Sequence, residues 1–441
     1  MIFALTFLVF RFSPVHEVYD STYEMMFSQQ LLRNHRFSAD AAAFPQLKSH
    51  KPGQVYQRGV DLTYLLYPMG DRFYYFFPPG SVILSVPYVA IANLCGVSAT
   101  DSNGIYDHAG EKRIQAGLAT LLMAGLATII FATARMILPF SWSILIALAT
   151  AFCTSVWSLA SRTMWSHTWG AFILAAIVWL IVRAEIARKP PPPIILATCL
   201  SWLFFIRPTF SISVAAVGFY VLIYHPRIFV RFALTGMIWL GSFILFSRYH
   251  FGQSLPPYYT SQGPGFRDGS LWHGLAGILV SPARGLLIYV PVLLIVPYLL
   301  VRYWSVARTN LAVLAGGVTG THILLCAAYW GWSGGHCYGA RYSTDVVPWL
   351  ALLGTLAVDA RLKASDQSRI PGLRSVFEIS FATLLLVCSA TLNGIGAMSI
   401  DAWRWNTTPT NIDSDGSRLW DWRHPPFLGV PPSASSVNEA G

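Results

Sequence analysis

Apolar runs long enough to enter or cross a lipid bilayer recur along the chain. They lie at about 79–98, 113–134, 140–160, 165–183, 193–206, 208–224, 229–247, 284–301, 310–330, 343–360 and 375–397. A span needs about 20 predominantly apolar residues, so a chain built this way is expected to fold as an all-α polytopic membrane protein with about 11 transmembrane helices. Composition agrees: of 441 residues, 54% are hydrophobic and 11% charged, with a mean hydropathy of +0.50. A soluble domain carries about 25% charged residues. The balance excludes a water-soluble enzyme, a disordered chain and a disulfide-rich secreted scaffold. Cys95, Cys153, Cys199, Cys326, Cys337 and Cys388 are scattered, mostly within apolar runs and without a CxxC pair. They read as buried thiols rather than a disulfide frame or metal site.

The net charge is +10. In a soluble protein this would suggest nucleic acid, but retention of Lys and Arg in cytoplasmic loops accounts for it here. No nucleic-acid partner is expected; the partners are membrane lipids and, for some cations, an anionic lipid phosphate. Four short linkers are the most basic, those holding Arg183/Arg188/Lys189, Arg227/Arg231, Arg302/Arg308 and Arg361/Lys363/Arg369. Two helices separate each from the next, so all four share a side, which the positive-inside rule makes cytoplasmic. The segments 161–166, 249–283, 331–342 and the tail then face outward. The run at 79–98 carries Pro78, Pro79 and Pro87 around it and is barely long enough to span. Read as non-spanning, it leaves loop 13–77, with Asp20, Asp40, Asp61 and Asp71, on the outer face as well.

Residues 1–12 are too short to span alone and lack the basic start and small-residue cleavage site of a signal peptide. They read as the end of a first helix whose beginning lies upstream. Residues 21–37 have helical apolar spacing, predicting an amphipathic helix on the membrane surface with Asp20 near its N-cap. Prolines 190–193 form a stiff linker, 249–283 a long loop rich in Gly, Pro and Tyr, and 401–441 a short, polar, Trp-rich outer tail. Residues 1–400 are thus one membrane domain, with 13–98 as its first outer loop.

Chemistry-bearing residues gather at the outer ends of the runs. Asp20 is either a helix cap or a base for an acceptor hydroxyl, and it also offers a ligand to Mg²⁺ or Mn²⁺. Arg162 and His167 sit in the linker Ser161-Arg162-Thr163-Met164-Trp165-Ser166-His167; the histidine is an interfacial residue or an acid–base or phosphate-binding group. Arg207, Arg284 and Arg341 either snorkel to headgroups or bind phosphate, for which a guanidinium fork is suited. The Gly-rich stretch before Arg341 carries Trp332, His336 and Tyr338 as stacking and hydrogen-bonding groups. On a helix, Asp345 would pair with Arg341 four residues earlier. Asn406-Thr407-Thr408 fits a glycosylation sequon.

In this order, the motifs resemble the C-type (GT-C) membrane glycosyltransferases, in the branch of bacterial polyprenyl-phosphate-sugar transferases related to protein O-mannosyltransferases and lipid A aminoarabinose transferases. The resemblance covers about residues 10–360. It rests on Asp20 after the first helix, the amphipathic helix that follows, Pro78-Pro79, and Arg341-Tyr342 before a late helix. The patterns from Trp332 to Tyr342 and at Trp420-Asp421-Trp422 also look like those of bacterial membrane proteins of this superfamily. It implies a GT-C-like bundle in a bacterial inner membrane with an outward-facing cavity. It also implies an inverting transfer of a hexose or pentose from a polyprenyl-phosphate donor to a lipid, glycan or protein acceptor. Asp20 matches the first-loop carboxylate and Arg341 the cation beside the donor phosphate. Where many relatives carry a second acidic residue, this chain has His167, which bears on metal use and acceptor class; the soluble C-terminal domain of some relatives is also missing. The rival class is a transporter or flippase of an anionic lipid or solute. The near-absence of acidic residues from the central runs disfavours it, because coupling ions need them. A catalytically inactive scaffold in envelope assembly is a third class.

Overall fold

The computed structural model describes residues 1–40, 43–44, 65–69, 72–261, 271–366 and 372–430. Asp61, Asp71, Arg369 and the end of the tail, 431–441, lie outside the described residues. The chain is mostly helical, as the apolar runs demand. Helices α1 (Ile2–Phe12) and α2 (Glu24–Asn34) are followed by strands β1 (Ala39–Asp40), β2 (Leu66–Met69) and β3 (Arg72–Tyr75). These form a small antiparallel sheet in the order β1-β3-β2, which an all-α reading does not include. Pro68 sits in β2, an edge strand, where a missing N–H is tolerated.

The helical body then runs α3 (Gly80–Leu94), α4 (His108–Arg135), α5 (Phe140–Phe152), α6 (Ser166–Ala187), α7 (Pro193–Ile206), α8 (Ser211–Tyr224) and α9 (Pro226–Phe251). It continues with α10 (Pro257–Ser261), α11 (Leu271–Val280), α12 (Leu286–Tyr289), α13 (Ile295–Arg302), α14 (Thr309–Ala328), α15 (Val347–Asp366), α16 (Gly372–Met398) and α17 (Ile400–Arg404). Among the described residues, five helices are long and apolar enough to cross a membrane: α4, α6, α9, α14 and the part of α16 from Arg374 to Met398. At 15 residues, α3 measures about 22 Å, short of the ~30 Å hydrocarbon core.

Two apolar runs are broken. The 140–160 run ends as α-helix at Phe152 and resumes as a wide π-turn, Val156–Ala160. The 284–301 run is interrupted at Pro291, which cannot donate the helical N–H. The 249–283 segment is not simply a loop, because its Leu-Trp-His-Gly-Leu-Ala-Gly-Ile-Leu-Val stretch forms α11 against α14. Close approach there needs glycine: a Cβ on Gly274 would lie 2.0 Å from the carbonyl oxygen of Ala327.

The bundle is centred on α4, packed on α1, α5 and α6, and on α15, packed on α13 and α14. Small residues of α4, Ala119, Ala124 and Ala127, are fully buried, as suits helices that approach closely in lipid. In contrast, α9 exposes Val230, Leu234, Met237, Ile238 and Leu245, a face suited to hydrocarbon. Helix α2 does not simply lie on the surface. Glu24, Met25, Met26, Phe27, Ser28 and Gln29 are all buried, and α2 packs against α3 and α4. The tail is likewise packed rather than loose: Trp403 and Trp405 are each 1% exposed.

Candidate active site

Four elements deliver the site. Asp20 stands in the turn before α2, His167 in the first turn of α6, and Arg207 at the end of α7. Arg341 and Asp345 belong to a 3₁₀ turn, Arg341–Val346, that leads into α15. Arg341 is aimed by the Gly-rich loop, since its Nη1 donates to the carbonyl of Gly334 at 2.7 Å. Gly334 (φ +74°) and Gly339 (φ +67°) hold left-handed backbone there, and a Cβ on Gly339 would lie 2.8 Å from the Tyr289 ring.

The side chains form one continuous constellation. Arg341 Nη2 donates to Asp20 Oδ2, and Arg341 Nε donates to His167 Nε2 at 3.2 Å. His167 Nε2 therefore accepts, which places the ring proton on Nδ1, and that N–H donates to Asp345 Oδ1 at 2.7 Å. The other oxygen of Asp345 lies 3.2 Å from Arg207 Nε and accepts from Thr209 Oγ1 at 2.9 Å, with His322 Nε2 at 3.9 Å. Arg207 Nη1 donates to Ser166 Oγ and lies 3.4 Å from His167 Nε2. Aromatic faces back both cations: Arg341 stacks over Trp165 at 4.2 Å and Arg207 over Tyr342 at 5.6 Å. Burial works against the Arg341 charge, but Asp20 and Tyr342 reverse this and hold its pKa above the ordinary value.

Exposure divides the cluster. The side chains of His167 and Asp345 are 0% exposed, whereas Asp20 is 26% exposed. Tyr329 stands within electrostatic reach of Arg207, Arg341 and Asp20, and Tyr258 of Arg207. A ligand reaching the cluster therefore meets a carboxylate, two guanidinium groups and phenolic hydroxyls.

Of the residues singled out by sequence, Asp20, His167, Arg207, Arg341 and Tyr342 converge. Asp20 is not the cap of α2; the N-cap is Tyr23, at φ 75°. The first-turn amides of α2 are met by Glu111 of α4, whose carboxylate accepts from Met25 N at 3.0 Å and Met26 N at 3.2 Å. Asp345 does not pair with Arg341 but faces His167 and Arg207. His167, expected to act in catalysis, has both ring nitrogens engaged and no exposure, so it holds Arg341 and Asp345 and is not open to a ligand. Tyr342 donates to the Gly331 carbonyl at 3.1 Å and serves Arg207 with its ring.

The remaining candidates are used elsewhere. Arg162 donates to the carbonyls of Ser13 and Phe10, at 2.9 and 2.5 Å, which satisfies the end of α1. Its identified partners are carbonyl and hydroxyl oxygens, and burial pulls its pKa down to about 9. Arg284 binds the carbonyls of Ser333 and Gly335 and the side chain of Asn406. It locks the Gly-rich loop to the tail, and Asn406, at 0% exposure, is not presented for glycosylation. Tyr338 is fully buried, donating to Leu392 O at 2.7 Å. Trp332 packs against His273 and Trp420, not against an open sugar platform. His336 Nε2 lies 2.9 Å from Asn411 Oδ1 and 3.2 Å from Asp413 Oδ2, while its ring meets Tyr19 beside Asp20.

Trp165, Thr209, His322, Tyr258 and Tyr329 join the site without having been expected there. Trp165 lay within the Ser161–His167 motif; the others gave no local signal. For Mg²⁺ or Mn²⁺ the donor set is poor. Asp20 faces a guanidinium, Asp345 is saturated, and among the described residues no three His, Cys, Asp or Glu groups gather to hold a metal. No known family model, curated protein or solved structure matches this chain.

Proposed function

We propose that the protein is an inverting glycosyltransferase, moving a hexose or pentose from a polyprenyl-phosphate donor to an acceptor hydroxyl. In this reading it is a GT-C-like bundle of about eleven spans in a bacterial inner membrane, with the site facing outward. The observation that carries the reading is the Asp20–Arg341 pair, a partly exposed carboxylate joined to a guanidinium that is itself held by His167 and Gly334. The donor phosphate competes with Asp20 for Arg341 and forms charge-assisted bonds to its fork. Asp20, released from its partner, accepts the proton of the acceptor hydroxyl as that oxygen attacks the anomeric carbon. The bond to the phosphate oxygen breaks, and Arg341 and Arg207 stabilise the leaving phosphate without protonating it. His167 and Asp345 hold the two cations in place throughout.

Two acidic residues buried in the helical body, Glu111 and Glu378, are already committed to protein partners, which leaves a coupling ion little to bind there. Glu111 caps α2, and Glu378 accepts from Arg361 at 2.9 Å and from Tyr303 at 2.8 Å. The test is transfer of labelled sugar from polyprenyl-phosphate donors in vesicles holding the purified protein and an envelope lipid and glycan extract. Transfer that disappears in Asp20→Asn supports the reading. No transfer from any such donor, with a folded protein, overturns it.

A further inference from the structure

Away from the constellation, a cavity of about 280 Å³ runs between α5, α13, α15 and α16. It follows α15 from Val347 to Arg361, about 21 Å at 1.5 Å per residue. An apolar cavity of about 150 Å³ already holds a benzene molecule, and this one is nearly twice as large. Its walls are aliphatic along their length, with Ile146, Ala351, Gly354 and Ala382 facing the space. None of the residues Asp20, His167, Arg207, Arg341 or Asp345 lines it. Its only charged lining residues, Arg361 and Glu378, are paired at 2.9 Å at the far end from the site.

That end is built for an anion. Glu378 is saturated by Arg361, Tyr298 and Tyr303. Arg308 and Lys363 share Asp359, at 3.5 and 2.6 Å, and Arg302 ends α13 in an exposed position. Arg302, Arg308, Arg361 and Lys363 thus outnumber the carboxylates Asp359, Glu378 and, at the last residue of α15, Asp366. One leaflet's hydrocarbon is about half of the ~30 Å core, so the length of the shaft covers that depth.

We propose that this cavity holds one acyl chain of an anionic phospholipid, with the lipid phosphate at the Arg361 end and the chain directed toward Val347. The polarity distinguishes it from the donor of the proposed reaction, whose phosphate would lie at the opposite end of α15. The inference does not depend on the proposed activity.

The test is native mass spectrometry of the full chain. The protein is reconstituted with equal amounts of phosphatidylglycerol and phosphatidylcholine bearing the same chains, then released from mild detergent. One retained lipid is expected, with phosphatidylglycerol favoured about tenfold, since each cation near an anionic surface contributes. Gly354→Leu fills the shaft; a Cβ there meets only Ile146, at 3.7 Å, an ordinary contact. Retention should fall about tenfold while the melting temperature is kept. If Gly354→Leu does not fold, Ala382→Leu carries the same test from the facing wall. Arg302→Gln/Lys363→Gln should remove most of the preference for phosphatidylglycerol without removing phosphatidylcholine. Absence of a retained lipid, undiminished retention in a folded filled variant, or equal retention of both lipids in the wild type overturns the proposal. So does displacement of the phospholipid by equimolar polyprenyl phosphate, which would give the shaft to an isoprenoid chain.

Discussion

The constellation contains two Asp–Arg pairs that differ in almost everything but their chemistry. Asp345 is sealed from solvent, and both its oxygens are engaged, by His167 on one side and by Arg207 and Thr209 on the other. Asp20 is 26% exposed, comes from a turn, and meets its arginine through one oxygen. A buried pair with every lone pair used is rigid, and breaking it leaves an uncompensated charge in a low dielectric. A pair at the edge of solvent can exchange its partner for a ligand. The comparison makes Asp345 the sealed part of the frame and Asp20 the member of the cluster nearer to solvent.

The largest expected effect comes from Asp20→Asn. If Asp20 is the base, sugar transfer falls by on the order of 10²–10⁴ while expression and melting temperature stay close to wild type. Asp345→Asn should do the reverse in kind, lowering stability in a melting experiment by about 3–5 kcal/mol because Arg207 loses its buried counter-charge. If Asp345→Asn melts normally, or if Asp20→Asn unfolds the protein, the division of labour between the pairs is wrong.

Arg341→Lys sharpens the same comparison. An ammonium keeps the charge but loses the fork that meets Asp20, His167 and Gly334 together. A charged hydrogen bond contributes about 1.5–3 kcal/mol, so initial-rate measurements should show transfer reduced by about ten- to a hundredfold. Transfer at the wild-type rate would show that the fork is not needed and leave Arg341 a structural partner of Asp20, His167 and Gly334.

The smallest effect concerns the latch between His336 and Asp413, beside Tyr19. Burial opposes the charge on His336, but Asp413 and Asn411 more than compensate and raise its pKa above 6.5. The bond from His336 is the main cause that lowers Asp413 below 3.8. The His336 contribution is complete below pH 6.5 and is lost as pH rises through its raised value. That of Asp413 is complete above pH 3.8 and is lost as pH falls through its lowered value. The latch is therefore firmest between these limits. Because Asp413 is 65% exposed, the contribution should stay below about 1 kcal/mol. Hydrogen-exchange protection of the 401–430 segment, corrected for the intrinsic rise of exchange with pH, should be greatest near pH 5 and weaker at pH 9, and His336→Gln should flatten that dependence.

The helical body was readable because lipid-facing helices need uninterrupted apolar runs, and their ends fall within a few residues of the helices observed. The convergence of Asp20, His167, Arg207 and Arg341 was readable in residue type and placement, as polar groups at the ends of apolar runs. Their partners were not. Asp345 was assigned to Arg341 by α-helical spacing, but residues 341–346 form a 3₁₀ turn, in which positions three apart eclipse and positions four apart diverge. Arg162 and Arg284 look like phosphate ligands in sequence. Their actual acceptors are mostly backbone carbonyls, at Phe10 and Ser13 for one and at Ser333 and Gly335 for the other, with the side chains of Ser161 and Asn406 beside them. A carbonyl has no residue type, so no motif announces it. Helix α11 was missed because its ten residues sit in a Gly- and Pro-rich stretch.

The capping of α2 by Glu111 has a consequence for biogenesis. The amides of Met25 and Met26 find their acceptors more than eighty residues further along, and Gln115 then ties Ser21 to the backbone of Met164. The turn carrying Asp20 emerges from the ribosome before α4, and it acquires these native contacts only after α4 and the start of α6 have followed. Assembly of the helical bundle is thus a precondition for placing the carboxylate, and a nascent chain halted before residue 111 carries Asp20 without the frame that aims it.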